Sequence, residues 1–169
     1  MPITPTASYR LRRRAQPAVA LAQPQGTDMA QLSGVWLPIV TPFHDGAVDF
    51  ASYERLIEHY IGLGIGGIFP LGTTGESPTL DDDESAAIVE STLAAVAGRV
   101  PVFVGVGGNA TAKVLKLIQR LDHFDFPGIV SVCPYYNRPG RDGLREHFFR
   151  IAAATERQSS STTSPIAPA

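Results

Sequence analysis

The feature that most restricts the fold of this chain is a regular alternation, between Gly34 and Ala154, of short apolar runs with longer stretches of helical periodicity. Gly34–Val40 (GVWLPIV) reads as a strand that ends at Thr41-Pro42. Asp49 is placed to cap a helix whose apolar residues Phe50, Tyr53, Leu56, Ile57, Tyr60 and Ile61 recur at close to helical spacing, with Gly64 as its stop. Gly66–Pro70 is a second strand. Thr79 and Asp82 are expected to start the next helix as a capping-box-like pair, with the acids Asp81–Glu84 where the helix dipole favours them and Gly98 marking the end. Val100–Gly105 then reads as a strand, Ala110–Leu121 as a helix, Ile129–Cys133 as a strand and Asp142–Ala154 as a helix. Continuous apolar strands joined by helices, four βα units in a row, predict a parallel sheet covered by helices.

Charge divides the 169 residues into three zones. Residues 1–28 set Arg10, Arg12, Arg13 and Arg14 against Asp28, a net +3, and are rich in Ala and Pro. They read as a disordered or targeting-like extension; the apolar stretch Pro17–Ala22 is too short, between Gln16 and Gln23, for a secretory signal. Met29 is a candidate start. Residues 29–157 carry ten basic and fifteen acidic residues, a net −5, and residues 158–169 (QSSSTTSPIAPA) carry no charge and read as a disordered Ser/Thr/Pro tail. An overall charge of −2 argues against a general nucleic-acid binder. No run approaches the ~18 apolar residues of a membrane span. The single Cys133 excludes an intramolecular disulfide framework and a cysteine-based zinc site, and at the end of an apolar strand it reads as a small buried hydrophobe. His44, His59, His123 and His147 show no metal-ligand spacing, so no metal is expected; His59 and His147 read as helix-surface or rim residues.

In parallel α/β folds the chemistry lies beyond the carboxyl ends of the strands. Four loops qualify: Thr41-Pro42-Phe43, Gly72–Ser77 (GTTGES), Gly105–Asn109 (GVGGN) and Pro134–Pro139 (PYYNRP). In the second, glycines flanking two threonines allow backbone N–H groups to turn toward one point, a concavity suited to carboxylate or phosphate, although an ordinary Gly-rich turn explains the same composition. The fourth offers two tyrosines, an amide and a guanidinium, with aromatic packing at a barrel rim as the plainer reading. The third, Gly105-x-Gly107-x-x-Ala110 with Asp125 downstream, matches a dinucleotide fingerprint, but sits on the third βα turn instead of the first. Gly62-x-Gly64-x-x-Gly67 also matches, but it precedes a strand and is a helix stop.

Taken in order, Pro38–Phe43 (PIVTPF), Leu71–Ser77 (LGTTGES), Gly107–Thr111 (GGNAT) and Pro134–Pro139 (PYYNRP) resemble dihydrodipicolinate synthase (4-hydroxy-tetrahydrodipicolinate synthase), over roughly Leu32 to Arg157 and so over the N-terminal half of that family's pattern. The GTTGE segment is also similar to the wider pyruvate aldolases that include N-acetylneuraminate lyase, whereas PYYNRP is closer to the synthase. The resemblance implies a (β/α)8 barrel, a cytoplasmic homo-oligomeric enzyme without a cofactor, and a Schiff-base lyase reaction in lysine biosynthesis, in which pyruvate condenses with a lysine and adds to aspartate semialdehyde. It also implies roles for single residues. Thr73 and Tyr136 would form a proton relay, Thr74 would hold the pyruvate carboxylate, and the tyrosine would reach a neighbouring subunit's site.

A Schiff base needs a desolvated lysine at a strand end. Only Lys113 and Lys116 are present, and both fall on the stripe opposite Val114, Ile118 and Leu121 on the third helix. The resemblance places the Schiff-base lysine on a sixth strand, and a proton-donor tyrosine with a following arginine on a fifth; the pattern leaves off after Arg157, and residues 158–169 contain no Lys, Tyr or Arg. A barrel of this kind takes about 250 residues. Residues 29–157 therefore read as half a barrel, inactive alone, with open strand edges that invite pairing. A non-catalytic half-barrel that self-associates or pairs with a paralogue is the competing expectation, and a nucleotide-binding domain a third.

Overall fold

In a computed structural model the structure describes residues 32–162. The chain runs β1 (Trp36–Pro38), β2 (Phe43–His44), β3 (Ala47–Val48), α1 (Phe50–Gly62), β4 (Gly67–Phe69), two short 3-10 turns (Thr73–Gly75 and Ser77–Thr79), α2 (Asp82–Val96), β5 (Phe103–Gly105), α3 (Thr111–Leu121), β6 (Gly128–Val132), α4 (Arg141–Ala152) and β7 (Gln158–Thr162). The four expected βα units are present; β1, β4 and β5 are shorter than the apolar runs that contain them, and β6 has the expected length but begins one residue before the expected Ile129–Cys133. The expectation for residues 1–28 lies outside the described residues.

Five strands run parallel and in chain order. Trp36 pairs with Gly67 across β1 and β4, a bridge from Ile68 to Val102 joins β4 to β5, Phe103 pairs with Gly128, and Gly128 with Gln158. The last pairing corrects the reading of a disordered tail for residues 158–162, because Gln158–Thr162 form β7 along the whole of β6; the expectation for residues 163–169 lies outside the described residues. A Ser/Thr-rich run has no apolar pattern of its own; the unpaired edge of β6 supplies its main-chain partners. Arg157 secures the approach to this strand. Its guanidinium donates to the Asp122 carboxylate (2.8 Å) and to the backbone carbonyls of Asp122 and Phe124, and lies 4.3 Å from the Phe126 ring centroid.

A second feature that the apolar periodicity does not predict is the β2–β3 hairpin, which pairs Phe43 with Val48. Its turn residues, Asp45 and Gly46, both have positive φ (50° and 80°), the conformation of an Asp-Gly hairpin turn.

The helix ends follow their sequence signals, with one correction. The Asp49 carboxylate accepts from the Ser52 backbone N–H at 3.0 Å and from the Ser52 hydroxyl, and these bonds hold its pKa below the usual carboxylate value. The α2 cap is Asp81, not Thr79. Asp81 accepts from Asp83 and Glu84 backbone N–H groups while the Glu84 carboxylate accepts from the Asp81 N–H. The Thr79 hydroxyl instead closes its own turn on the Glu76 carbonyl.

Because side chains alternate across a strand, the register assigns each residue a face. Ile68, Val104 and Ile129 face the helices and are 0–1% exposed. They meet Tyr53 and Ile57 of α1, Ile88 and Val89 of α2, Val114 and Ile118 of α3 and Ile151 of α4 in one core. The Tyr53 hydroxyl bonds Thr92 across α1 and α2 at 2.8 Å, and burial raises its pKa. His147 departs from its expected place on a rim. It is 2% exposed, its Nδ1 is 2.8 Å from the Thr111 hydroxyl, and its Nε2 has no partner. Desolvation pushes its pKa down.

Candidate active site at the strand ends

The opposite, inner face carries Trp36, Pro38, Phe69, Phe103, Val130 and Val132. Its floor is closed by Trp36, whose ring meets Phe103 edge-on at 4.9 Å and lies where a side chain on Gly67 would otherwise stand. Above that floor, at the carboxyl ends of the strands, is a cavity of about 660 Å³. Pro38, Phe69, Val130 and Val132 form its apolar wall, and Thr73, Thr74, Ser77, Cys133 and Tyr135 bring polar atoms to it. Among the described residues, no charged side chain lines it.

The threonine pair is placed by strand β4 and the turn beyond it. Leu71 takes a positive φ of 59° while its side chain stays 3% exposed in the core. Gly72 then leads the chain into the 3-10 turn Thr73–Gly75. Strand β5 presses against the base of this turn. The Gly105 N–H donates to the Pro70 carbonyl (2.9 Å), and a Cβ at Gly105 would fall 2.4 Å from the Leu71 carbonyl oxygen, so only glycine fits. The Gly75 and Glu76 N–H groups are bonded inside the turn, to the Gly72 and Thr73 carbonyls at 3.0 and 3.1 Å. The anion-binding concavity expected here is therefore narrower than a run of free N–H groups, and the threonines themselves are its main polar atoms.

Thr73 and Thr74 thus stand together on the cavity, both exposed. Tyr136 does not join them. It is 94% exposed, does not line the cavity, and has φ +72°. The Asn137 N–H donates to the Tyr135 carbonyl across it (3.0 Å), a three-residue turn that projects the side chain away from the protein. The Asn137 side chain fixes this loop by donating to the Asn109 carbonyl at 3.1 Å. Tyr135 and Cys133 reach the cavity instead, and the motifs alone do not single out either for it. Cys133, expected as a buried small hydrophobe, is half-buried. The period of β6 gives no such signal, since alternation alone would put Cys133 with Ile129 and Ser131 on the helix side; it reaches the cavity because β6 ends at Val132 and the chain leaves the strand there. Lys113 and Lys116 are exposed on α3, as their stripe predicts, and neither lines the cavity.

Gly105 and Gly107 serve close packing. A Cβ on Gly107 would meet the Val132 side chain at 2.9 Å. Among the described residues, no group of three His, Cys, Asp or Glu is placed to hold a metal ion, and no helix is long and apolar enough to cross a membrane.

Comparison with known proteins agrees with this geometry. Solved structures of the same arrangement include the 4-hydroxy-tetrahydrodipicolinate synthase of Methylacidiphilum fumariolicum SolV (TM-score 0.75, 42% identity, covering 78% of this chain and 44% of that one). A second is YagE of E. coli K12, a prophage protein of the dihydrodipicolinic acid synthase family solved in complex with pyruvate (TM-score 0.75, 30% identity, covering 79% and 45%). Among curated proteins, 4-hydroxy-tetrahydrodipicolinate synthase 2 of Clostridium acetobutylicum is 51% identical over 125 residues, 74% of this chain and 44% of that protein. The Thermotoga petrophila synthase is 44% identical over 123 residues, 73% of this chain and 42% of that protein. The chain spans less than half the length of the relatives it matches, and its parallel βα units are part of a (β/α)8 barrel. The profile of the Dihydrodipicolinate synthetase family matches residues 31–159, which contain the threonine turn, the glycine-packed β5 end and the tyrosine loop alike, and the chain belongs to that family.

Proposed function

We propose that this chain carries the N-terminal part of the site of a dihydrodipicolinate synthase-type lyase, which condenses pyruvate with aspartate semialdehyde in lysine biosynthesis. In this reading the Thr74 hydroxyl holds the pyruvate carboxylate, and Thr73 and Tyr136 pass the proton. The observation that carries it is the pair Thr73–Thr74 on an uncharged cavity beyond the strand ends. Hydroxyl donors in such a site bind an anion without neutralising it, which leaves the keto group to be activated elsewhere. Tyr136, projected out of its own cavity, is suited to act in a neighbouring subunit, and Tyr135 keeps the aromatic wall of its own.

In this reading the chain by itself forms no Schiff base and is inactive, supported by the place of Lys113 and Lys116 on the exposed side of α3, away from the cavity. Incubation with pyruvate and borohydride, followed by mass spectrometry, should give no lysine adduct; a stoichiometric adduct with turnover would overturn the claim of inactivity. In the same sample the Thr73 and Thr74 amide resonances should shift on adding pyruvate, and unmoved resonances would remove the carboxylate assignment.

A second reading, a non-catalytic half-barrel that pairs with itself or with a paralogue, is favoured by the sheet's two ends. Among the described residues β1 pairs only with β4 and β7 only with β6, and the inner face between them is apolar. Sedimentation of a well-folded monomer at high concentration would count against it. A pyruvate aldolase of the N-acetylneuraminate lyase type shares the threonine turn and differs in the aldehyde accepted.

A further inference from the structure

The geometry points to Thr41 as the residue that positions the threonine turn, through a bond the sequence does not reveal. Thr41 follows β1, is 4% exposed and does not line the cavity. Its hydroxyl donates to the Gly75 carbonyl at 2.8 Å, across 34 residues of chain. Gly75 is the last residue of the turn, so the fixed carbonyl lies one residue beyond Thr74 and two beyond Thr73. The same contact is tight on its other side. A Cβ at Gly75 would fall 3.0 Å from the Ile39 carbonyl oxygen and 3.3 Å from the Thr41 hydroxyl. Ile39 is itself fixed, 2% exposed with its N–H on the Phe69 carbonyl at 3.3 Å.

The turn therefore rests on the end of β1 by one directional bond and one close packing contact. A buried hydroxyl–carbonyl bond costs most when only one partner is removed, because the carbonyl is then stranded away from water. Positioning matters here because hydroxyl groups that must meet a carboxylate within hydrogen-bond distance tolerate little displacement. Thr41 touches no ligand itself; it acts through the Gly75 carbonyl. The inference rests on the reading that Thr73 and Thr74 bind a carboxylate, and the experiment separates the two.

The test compares Thr41→Val, which keeps the shape and loses the hydroxyl, with Thr41→Ser, which keeps the hydroxyl, in the full chain by amide exchange and pyruvate titration. In Thr41→Val the Gly75 and Glu76 amides, both bonded within the turn, should exchange about tenfold faster, and the pyruvate-induced shifts at Thr73 and Thr74 should be lost. Amides of β5 and β6 should keep their wild-type rates, which a general loss of structure would not allow. Thr41→Ser should restore both readouts. Wild-type turn exchange in Thr41→Val, or equal damage in Thr41→Ser, would overturn the proposal. Should Thr41→Val not fold, Thr41→Ala decides: it removes the same hydroxyl without placing a second methyl against the Gly75 carbonyl and should reproduce the fast exchange, and unchanged turn amides would overturn the proposal. Absence of pyruvate shifts in the wild type would refute the carboxylate reading, while the exchange comparison still decides Thr41.

Discussion

The two faces of the parallel sheet are built from alternate residues of the same strands, yet they differ in almost every physical respect. On the helix side, Ile68, Val104 and Ile129 are sealed at 0–1% exposure beneath four helices. On the inner side their neighbours Phe69 and Val130 stay half-buried around a cavity whose rim bears hydroxyls. Along β6 the sealed packing falls on one face and the proposed recognition on the other. A substitution should therefore act on folding or on ligand binding according to the parity of its position in the strand.

The largest test of that division compares adjacent residues of β6. Ile129→Ala removes a fully buried side chain and should cost about 2–5 kcal/mol in denaturant unfolding. Val130→Ala, on the inner face, should cost under about 1 kcal/mol. Equal losses would break the comparison. Next in size, Gly105→Ala should bring the two faces into conflict, since its Cβ would overlap the Leu71 carbonyl. Overpacking of this kind costs about 1–3 kcal/mol, and it should be accompanied by shifted Thr73 and Thr74 resonances.

The sealed side has its own weak point in His147. Its folded pKa lies below the ordinary histidine value, so as pH falls below about 6.5 the unfolded chain takes up the proton first. The stability present at neutral pH should therefore be lost progressively as pH falls through the lower, folded value, measured by denaturation at a series of pH values. His147→Leu should flatten that profile; an unchanged profile would show that other groups cause it. The smallest effect is expected at Lys113→Ala and Lys116→Ala, within about 0.5 kcal/mol and without change in pyruvate-induced shifts.

The order of strands and helices is legible in the sequence because each apolar run and each amphipathic stretch carries its own period, as in Tyr53 and Ile57 or Val114 and Ile118. The motifs likewise locate Thr73 and Thr74. The features that escape a sequence reading depend on partners distant in the chain. Gln158–Thr162 become a strand only because β6 offers an edge, and His147 is buried only because Thr111 and α3 lie over it. The bond between Thr41 and Gly75 is of the same kind, since no local pattern connects residues 34 apart. The Asp45-Gly46 hairpin is different: its signal is local and readable, but it lies inside a loop that the periodicity assigns to the strand end.

The strictly sequential strand order has a consequence for the time course of folding. Each parallel pairing joins residues 25 to 34 positions apart, one helix and two turns away. The entropy lost in closing a loop rises only with the logarithm of its length, so the successive closures cost nearly the same. No early pairing waits for residues far downstream. On a ribosome the chain can add one βα unit after another as each emerges, and the sheet grows in a single direction from β1.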